Sequence, residues 1–392
     1  MIYFCLFALI FLLAEVYDYP LLCVYRGLER TMYRDKTLYM VLCTLFILLS
    51  GLSYRVGSDI GRYMYDFSSL QWSDFSLNNL SLSQRQPFWI LSQLVCKSCF
   101  DNFHFFKFVE STFVNIVIFW FIKKNTKYKY SAVLLYFCTM SFDVNFNILR
   151  QAFSICIFLI ACYCMNMKRV FLSILLIFSA IMFHNSAFVL AVIPLTLLID
   201  IRKHLKLCVI IVWVLLILVL LLPSANMLLL MLLGSSDETL VALSSEYLAG
   251  DYGNSNFSFI KVILSLTYFS VIAFLYKKAG ASNMGLVLFF CYVACYIISY
   301  SIPIIGRIKF YFTIPYIIAF CESVYYIVST KIIISGRKIF VTCILLAQLL
   351  NASKHYFIYN PRLGDYNYVQ YYPYSSVINP HLVEQRERLV EY

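Results

Sequence analysis

Charge is what this sequence has least of. Aspartate, glutamate, lysine and arginine make up 13% of its 392 residues, where soluble globular chains carry about 25%. A deficit of that size excludes a soluble core and fits a chain whose surface faces lipid. Also missing are a P-loop, a glycine-rich dinucleotide turn, zinc-ligand spacing and a GxSxG nucleophile turn. ATP-driven and soluble-cofactor chemistry therefore have no support, and neither a cofactor nor a metal is expected. No internal repeat and no soluble domain can be traced.

Hydrophobic residues fill the gap, at 62% of the chain. Apolar runs close to the length that crosses ~30 Å of hydrocarbon recur throughout. They predict an all-α, polytopic helical membrane protein with about twelve spans: 2–22, 38–54, 103–122, 130–145, 150–167, 170–184, 187–201, 205–223, 258–276, 284–302, 308–329 and 338–351. The runs 130–145 and 338–351 are short for spans. The first 14 residues lack a basic segment and read as part of the first span rather than a cleaved signal. The 32 tyrosines and 35 phenylalanines suit interfacial aromatic belts, although those favour Tyr and Trp. Most of the 14 cysteines lie inside apolar runs, as small packing residues. Cys96 and Cys99 form a CxxC pair without the βαβ setting of a redox motif.

The net charge of +11 does not point to nucleic acid, because the basic residues sit in short clusters between apolar runs, where they set membrane orientation. With the N-terminus outside, the inside loops hold Arg26, Arg30, Arg34 and Lys36; Lys123, Lys124, Lys127 and Lys129; and Lys168 and Arg169. The later ones hold Arg202, Lys203 and Lys206; Lys277 and Lys278; and Lys331, Arg337 and Lys338. Each inside loop then carries at least two cations and both termini are outside. The domain reading is a transmembrane helical domain over 1–351, with outer loops 55–102 and 224–257, and an outer-face tail over 352–392, rich in Tyr and Pro. Loop 55–102 is expected to hold an interfacial helix near Phe88–Val95. Loop 224–257 carries Asp237, Glu238, Glu246 and Asp251.

Ionisable groups at a membrane boundary are expensive and are usually paired or functional. Four places on the outer side qualify. Tyr54-Arg55-Val56-Gly57-Ser58-Asp59 begins where a span ends, with Arg62, Tyr63 and Asp66 after it. Either Arg55 and Asp59 form a structural ion pair across the Gly57 turn, or Arg55 binds an anion and Asp59 holds it in position. Asn147-Ile148-Leu149-Arg150-Gln151 opens the fifth span. Arg150 either pairs with Asp143 or grips a phosphate with its five-donor fork. His184, in Phe183-His184-Asn185-Ser186, is either a satisfied junction residue or a base toward a sugar hydroxyl. Arg307 and Lys309 open the eleventh span after Pro303 and Gly306, as interfacial anchors or as a second phosphate contact. Several cations with few acids near one face suit a diphosphate, whose leaving charge needs preorganised donors.

At these residues the sequence resembles the EpsG-like, Wzy-type polysaccharide polymerases. The pieces that carry the resemblance are YRVGSD with a following Tyr (54–63), NILRQAFS (147–154), AIMFHNSA (180–187) and GRIKFYF (306–312). The resemblance implies a multi-pass enzyme of the bacterial inner membrane. It would join polyprenyl-diphosphate-linked oligosaccharide units into a capsule, O-antigen or exopolysaccharide chain. It also implies roles: His184, Arg150 and Asp59 catalytic; Arg55, Arg62, Tyr63, Gln151 and Arg307 substrate-binding. Besides the substrate, membrane lipids and chain-length-regulator and flippase proteins are the implied partners. A transporter or flippase for the same lipid-linked units is the competing reading, set against the absence of repeated halves and midplane polar breaks. A membrane acyltransferase using His184 is a third, set against a cytoplasmic side that offers mostly orientation lysines.

Overall fold

The structure is a computed structural model and describes residues 2–18, 29–76, 86–221, 259–299, 305–331, 334–360 and 363–387. The expected acidic outer loop 224–257 lies outside these residues. The chain forms two compact units, one from residues 1–191 and 327–392 and one from residues 192–326.

The first unit carries α1 (Ile2–Leu13), α2 (Glu29–Gly51), α3 (Ile60–Ser69), α4 (Pro87–Cys99), α5 (Phe103–Asn125), α6 (Lys129–Thr139), α7 (Leu149–Asn166) and α8 (Val170–Phe183). Proline at the first position starts α4, where its missing N–H costs nothing. The Asn102 side chain caps α5 by accepting from the His104 amide at 2.8 Å. Between α6 and α7 the chain makes a π-helical segment, Asp143–Asn147. The expected span 130–145 therefore ends as α-helix at Thr139. After α8 comes a 3-10 helix, Asn185–Leu198, with Pro194 inside it, where the sequence reading expected a span at 187–201.

Small residues set the closest packing. Ser154 Oγ donates to the Ala180 carbonyl at 2.8 Å, and Ser173 Oγ to the Ala161 carbonyl at 3.1 Å, so α7 and α8 approach along a seam of Ala and Ser. In a lipid setting, such seams replace the hydrophobic drive that water would supply. α2 packs on α5, and α5 on α7. Gly51 takes part here, because a Cβ on it would stand 2.8 Å from the Phe108 ring.

The second unit contains α9 (Leu205–Leu221), α10 (Phe259–Lys278), α11 (Asn283–Ile298) and most of α12 (Ile305–Lys331). Its core is aromatic: the Tyr292 and Tyr316 rings stack at 4.1 Å, with Phe269 edge-on to both. Trp213 Nε1 ties α9 to α10 through Ser270 Oγ at 2.8 Å.

Back in the first unit, α13 (Ile334–Ser353) packs on α6, as α1 does. The tail follows as an antiparallel pair, β1 (Tyr359–Asn360) and β2 (Asp365–Tyr366), a 3-10 turn at Asn367–Gln370, and the short α14 (Glu384–Glu387). Each of the twelve expected span ranges overlaps one of these helical segments. By length and apolarity, three of the described helices qualify to cross a membrane: Phe103–Asn125, Leu149–Asn166 and Ile305–Thr330.

Candidate functional site

Three of the four singled-out segments meet in the first unit, and the tail joins them. Arg55 and Gly57 both have positive φ, at 49° and 112°. Gly57 is required there, because a Cβ would lie 2.2 Å from the Phe146 carbonyl oxygen. The turn thus presses directly on the π-helical segment. The Ser58 amide donates to Asn147 Oδ1 and the Gly57 amide to the Gln370 carbonyl, both at 2.9 Å. Just before the turn, Tyr54 N donates to the Ser375 carbonyl and Val377 N to the Leu52 carbonyl, each at 2.9 Å.

This arrangement corrects both ion pairs that proximity in sequence suggested. Asp143 does not pair with Arg150. It accepts from the Tyr371 hydroxyl at 3.0 Å and from Asn147 Nδ2 at 3.3 Å, because the tail delivers a buried phenol to it. Burial and the Asp143 charge hold that phenol well above the usual tyrosine range. Nor does Arg55 pair with Asp59. Its positive-φ backbone is joined to the tail on both sides, and its guanidinium bonds Glu387 of α14. Asp59 stays exposed just before α3 and accepts from Ser58 Oγ at 3.1 Å. Beside that contact, Arg386 is buried and donates to the Val369 and Pro373 carbonyls.

Arg150 stands at the second position of α7. Its guanidinium carbon lies 5.8 Å from the centre of the Tyr63 ring, within cation–π range. Its Nε is buried with no hydrogen-bond partner, and Arg150 makes no ion pair among the described residues. A half-buried guanidinium with an unused donor is unfinished coordination. Burial raises the Tyr63 phenol, with Arg150 acting the other way, so the ring stays neutral at physiological pH. Arg62, on the same short helix, is exposed and without an ion pair among the described residues. Gln151 is buried.

His184 follows the last residue of α8. Ser186 Oγ lies 2.7 Å from its Nδ1, and the Ser186 amide donates to that same nitrogen at 3.3 Å. An accepting Nδ1 puts the neutral ring's proton on Nε2. The segment joins the others through aromatic contacts. Phe183 stacks on Phe153 at 5.1 Å, Phe153 meets Trp89 at 6.2 Å, and Trp89 meets Tyr63 at 5.6 Å. Phe153 is one helical turn beyond Arg150, so both lie on one face of α7. Arg307, in the first turn of α12, belongs to the second unit and is exposed.

The sequence reading passed over Lys107 and Glu110. Both are fully buried on α5, with Nζ 2.7 Å from Oε2. Lys107 also donates to the Asn145 carbonyl, inside the π-helical segment. The Asn145 side chain accepts from Asn115 at 2.8 Å and donates to the Tyr136 hydroxyl at 3.1 Å. A buried ion pair thus underpins the segment that leads into Arg150. Two charges within the expected span 103–122 were the available signal. Among the described residues no cluster of three or more His, Cys, Asp or Glu is placed to hold a metal.

What the geometry offers is the Arg150 guanidinium over the Tyr63 ring, with exposed Arg62 and Asp59 on or beside the same short helix, and His184 linked to it through the Phe183, Phe153 and Trp89 rings. No curated protein and no solved structure matches the chain. The family model described as the EpsG family matches residues 36–376, which takes in all four segments and the backbone bonds from Tyr54 and Gly57 to the tail, but not Glu387. On that match, which spans most of its length, the chain belongs to the EpsG family.

Proposed function

We propose that this membrane protein of polysaccharide biosynthesis is a polymerase. It joins polyprenyl-diphosphate-linked oligosaccharide repeat units into a surface polysaccharide, at the outer face of a bacterial inner membrane crossed about twelve times. Family membership supports the polysaccharide setting. The observation that carries the reaction is Arg150, a half-buried guanidinium over Tyr63 with a donor left unused.

In this reading a hydroxyl of the incoming unit attacks the anomeric carbon of the growing chain. The bond from that carbon to the polyprenyl diphosphate breaks, and the diphosphate leaves with the electron pair. Arg150 and Arg62 stabilise the charge that develops on it. Arg55 starts from a pair with Glu387, so its part is to exchange that carboxylate for phosphate or to hold the tail. Asp59 orients the acceptor, while Tyr63 and Gln151 shape the floor. The hydroxyl proton passes to His184 at Nδ1, through the Ser186 hydroxyl beside it. Arg307 is a further phosphate contact, and chain-length-regulator and flippase proteins are partners.

The test is the lipid-linked intermediate left in a strain whose only copy carries Arg150→Ala. Accumulation of single units on the outer face is expected, with the protein present at normal levels. Units trapped on the inner face would instead mean a flippase.

A further inference from the structure

A second concentration of cations lies in the second unit, apart from the residues assigned to catalysis. The segment before α9 and the C-terminus of α10 come together around an open cavity of about 540 Å³. Its polar lining is Lys203, His204, Lys206, Lys277 and Lys278, and its apolar wall includes Leu205 and Phe274. Among the described residues, the only carboxylate contact of these cations is Lys203 with Asp200, at 3.5 Å and largely exposed, which neutralises little. Lys206, Lys277 and Lys278 make no ion pair among the described residues.

The cluster is electrostatically unfavourable as it stands. Lys277 and Lys278 are well placed at the C-terminus of α10, where the helix dipole favours cations. Lys203, His204 and Lys206 gather instead at the start of α9, the positive end of that helix, facing two further lysines. Orientation lysines need only be on the right side of the membrane; they need not converge on one cavity. The segment is also fixed in place. Asn283 accepts from the Ile201 amide and donates to the Ile199 carbonyl, both at 2.8 Å, clamping the 199–201 backbone to the start of α11. Leading away from the cavity, α9 and α10 expose Leu207, Ile210, Val214 and Val271.

We propose that this cavity binds the phosphate headgroup of an anionic phospholipid, whose acyl chains run along the exposed apolar faces of α9 and α10. Basic pockets at the end of apolar helices recognise such headgroups through charge together with the adjoining hydrocarbon. The site supports the protein in its bilayer and does not depend on which reaction the first unit carries.

The experiment places the full chain in nanodiscs of phosphatidylcholine, with and without phosphatidylglycerol or cardiolipin, and reads thermal stability and retained lipid by native mass spectrometry. The wild type should retain anionic lipid at least roughly tenfold over zwitterionic lipid and melt at a higher temperature when it is present. Lys206→Gln/Lys277→Gln/Lys278→Gln should lose both effects. As these side chains are exposed or half-buried, single Gln variants offer a milder series if the triple variant accumulates poorly. Equal retention by wild type and variants overturns the proposal. So does a stabilisation of the detergent-solubilised wild type by millimolar inorganic phosphate that equals the lipid effect, since the ligand is then free phosphate.

Discussion

Arg150 and Lys107 are both cations in apolar surroundings, and their partners separate their roles. Lys107 is spent on Glu110 and the Asn145 carbonyl, whereas Arg150 keeps an unused buried donor. If Arg150 grips a diphosphate with a planar fork, a point charge cannot replace it. Arg150→Lys should therefore abolish long-chain product as completely as Arg150→Ala, with accumulation unchanged; normal chain lengths in Arg150→Lys would rule out forked contact. Lys107→Met should act on stability instead. It strands a buried carboxylate, at about 3–5 kcal/mol, while Lys107→Met/Glu110→Leu should accumulate nearer to wild type. His184→Gln can still hydrogen-bond but cannot take up the proton. It should slow polymerisation by roughly 10²–10⁴-fold and leave single lipid-linked units; near-normal polymer would make His184 structural. The candidate cations were legible as charges at apolar boundaries. Their partners were not: Glu387 is 332 residues from Arg55, and local spacing offered Asp59 instead.

The helices were the most legible elements, because apolar length is a property of the run itself. A helix, Pro87–Cys99, covers the stretch near Phe88–Val95 where one was expected. What spacing could not give was the route of the backbone between helices. The π-helical segment depends on the bonds made by Asn145 and Asn147, and the turn at Gly57 depends on the backbone it abuts. Two variants probe that contact. Gly57→Ala meets both a strained φ and the Phe146 carbonyl, so it should destabilise by about 1–3 kcal/mol or more and lower the amount of folded protein. Tyr371→Phe removes the hydroxyl shared by Asp143 and Asn147. That should cost about 1–3 kcal/mol, read as a lower melting temperature in detergent. A melting temperature equal to wild type for Tyr371→Phe would mean that the tail contributes little to holding the segment.

At the scale of the whole molecule, the family match spans both units, and the basic-loop pattern proposes one orientation for the chain. The structure brings together two of the loops assigned to the same side, around Lys206 and Lys277. A cysteine introduced at Ser235, in the expected outer loop, should react with an impermeant thiol reagent in intact cells. Reaction only after permeabilisation would reverse the orientation. The tail contacts carry a further consequence, which concerns synthesis. Residues 370–377 leave the ribosome after every helix from α1 to α13 has been translated, yet they supply the backbone partners of the turn at 54–59. A nascent chain can therefore insert its apolar helices long before it has a complete site. If the proposed polymerase reading holds, a premature stop codon after Ser353 should yield a membrane-embedded product that makes no polymer, its activity waiting on one of the last segments translated.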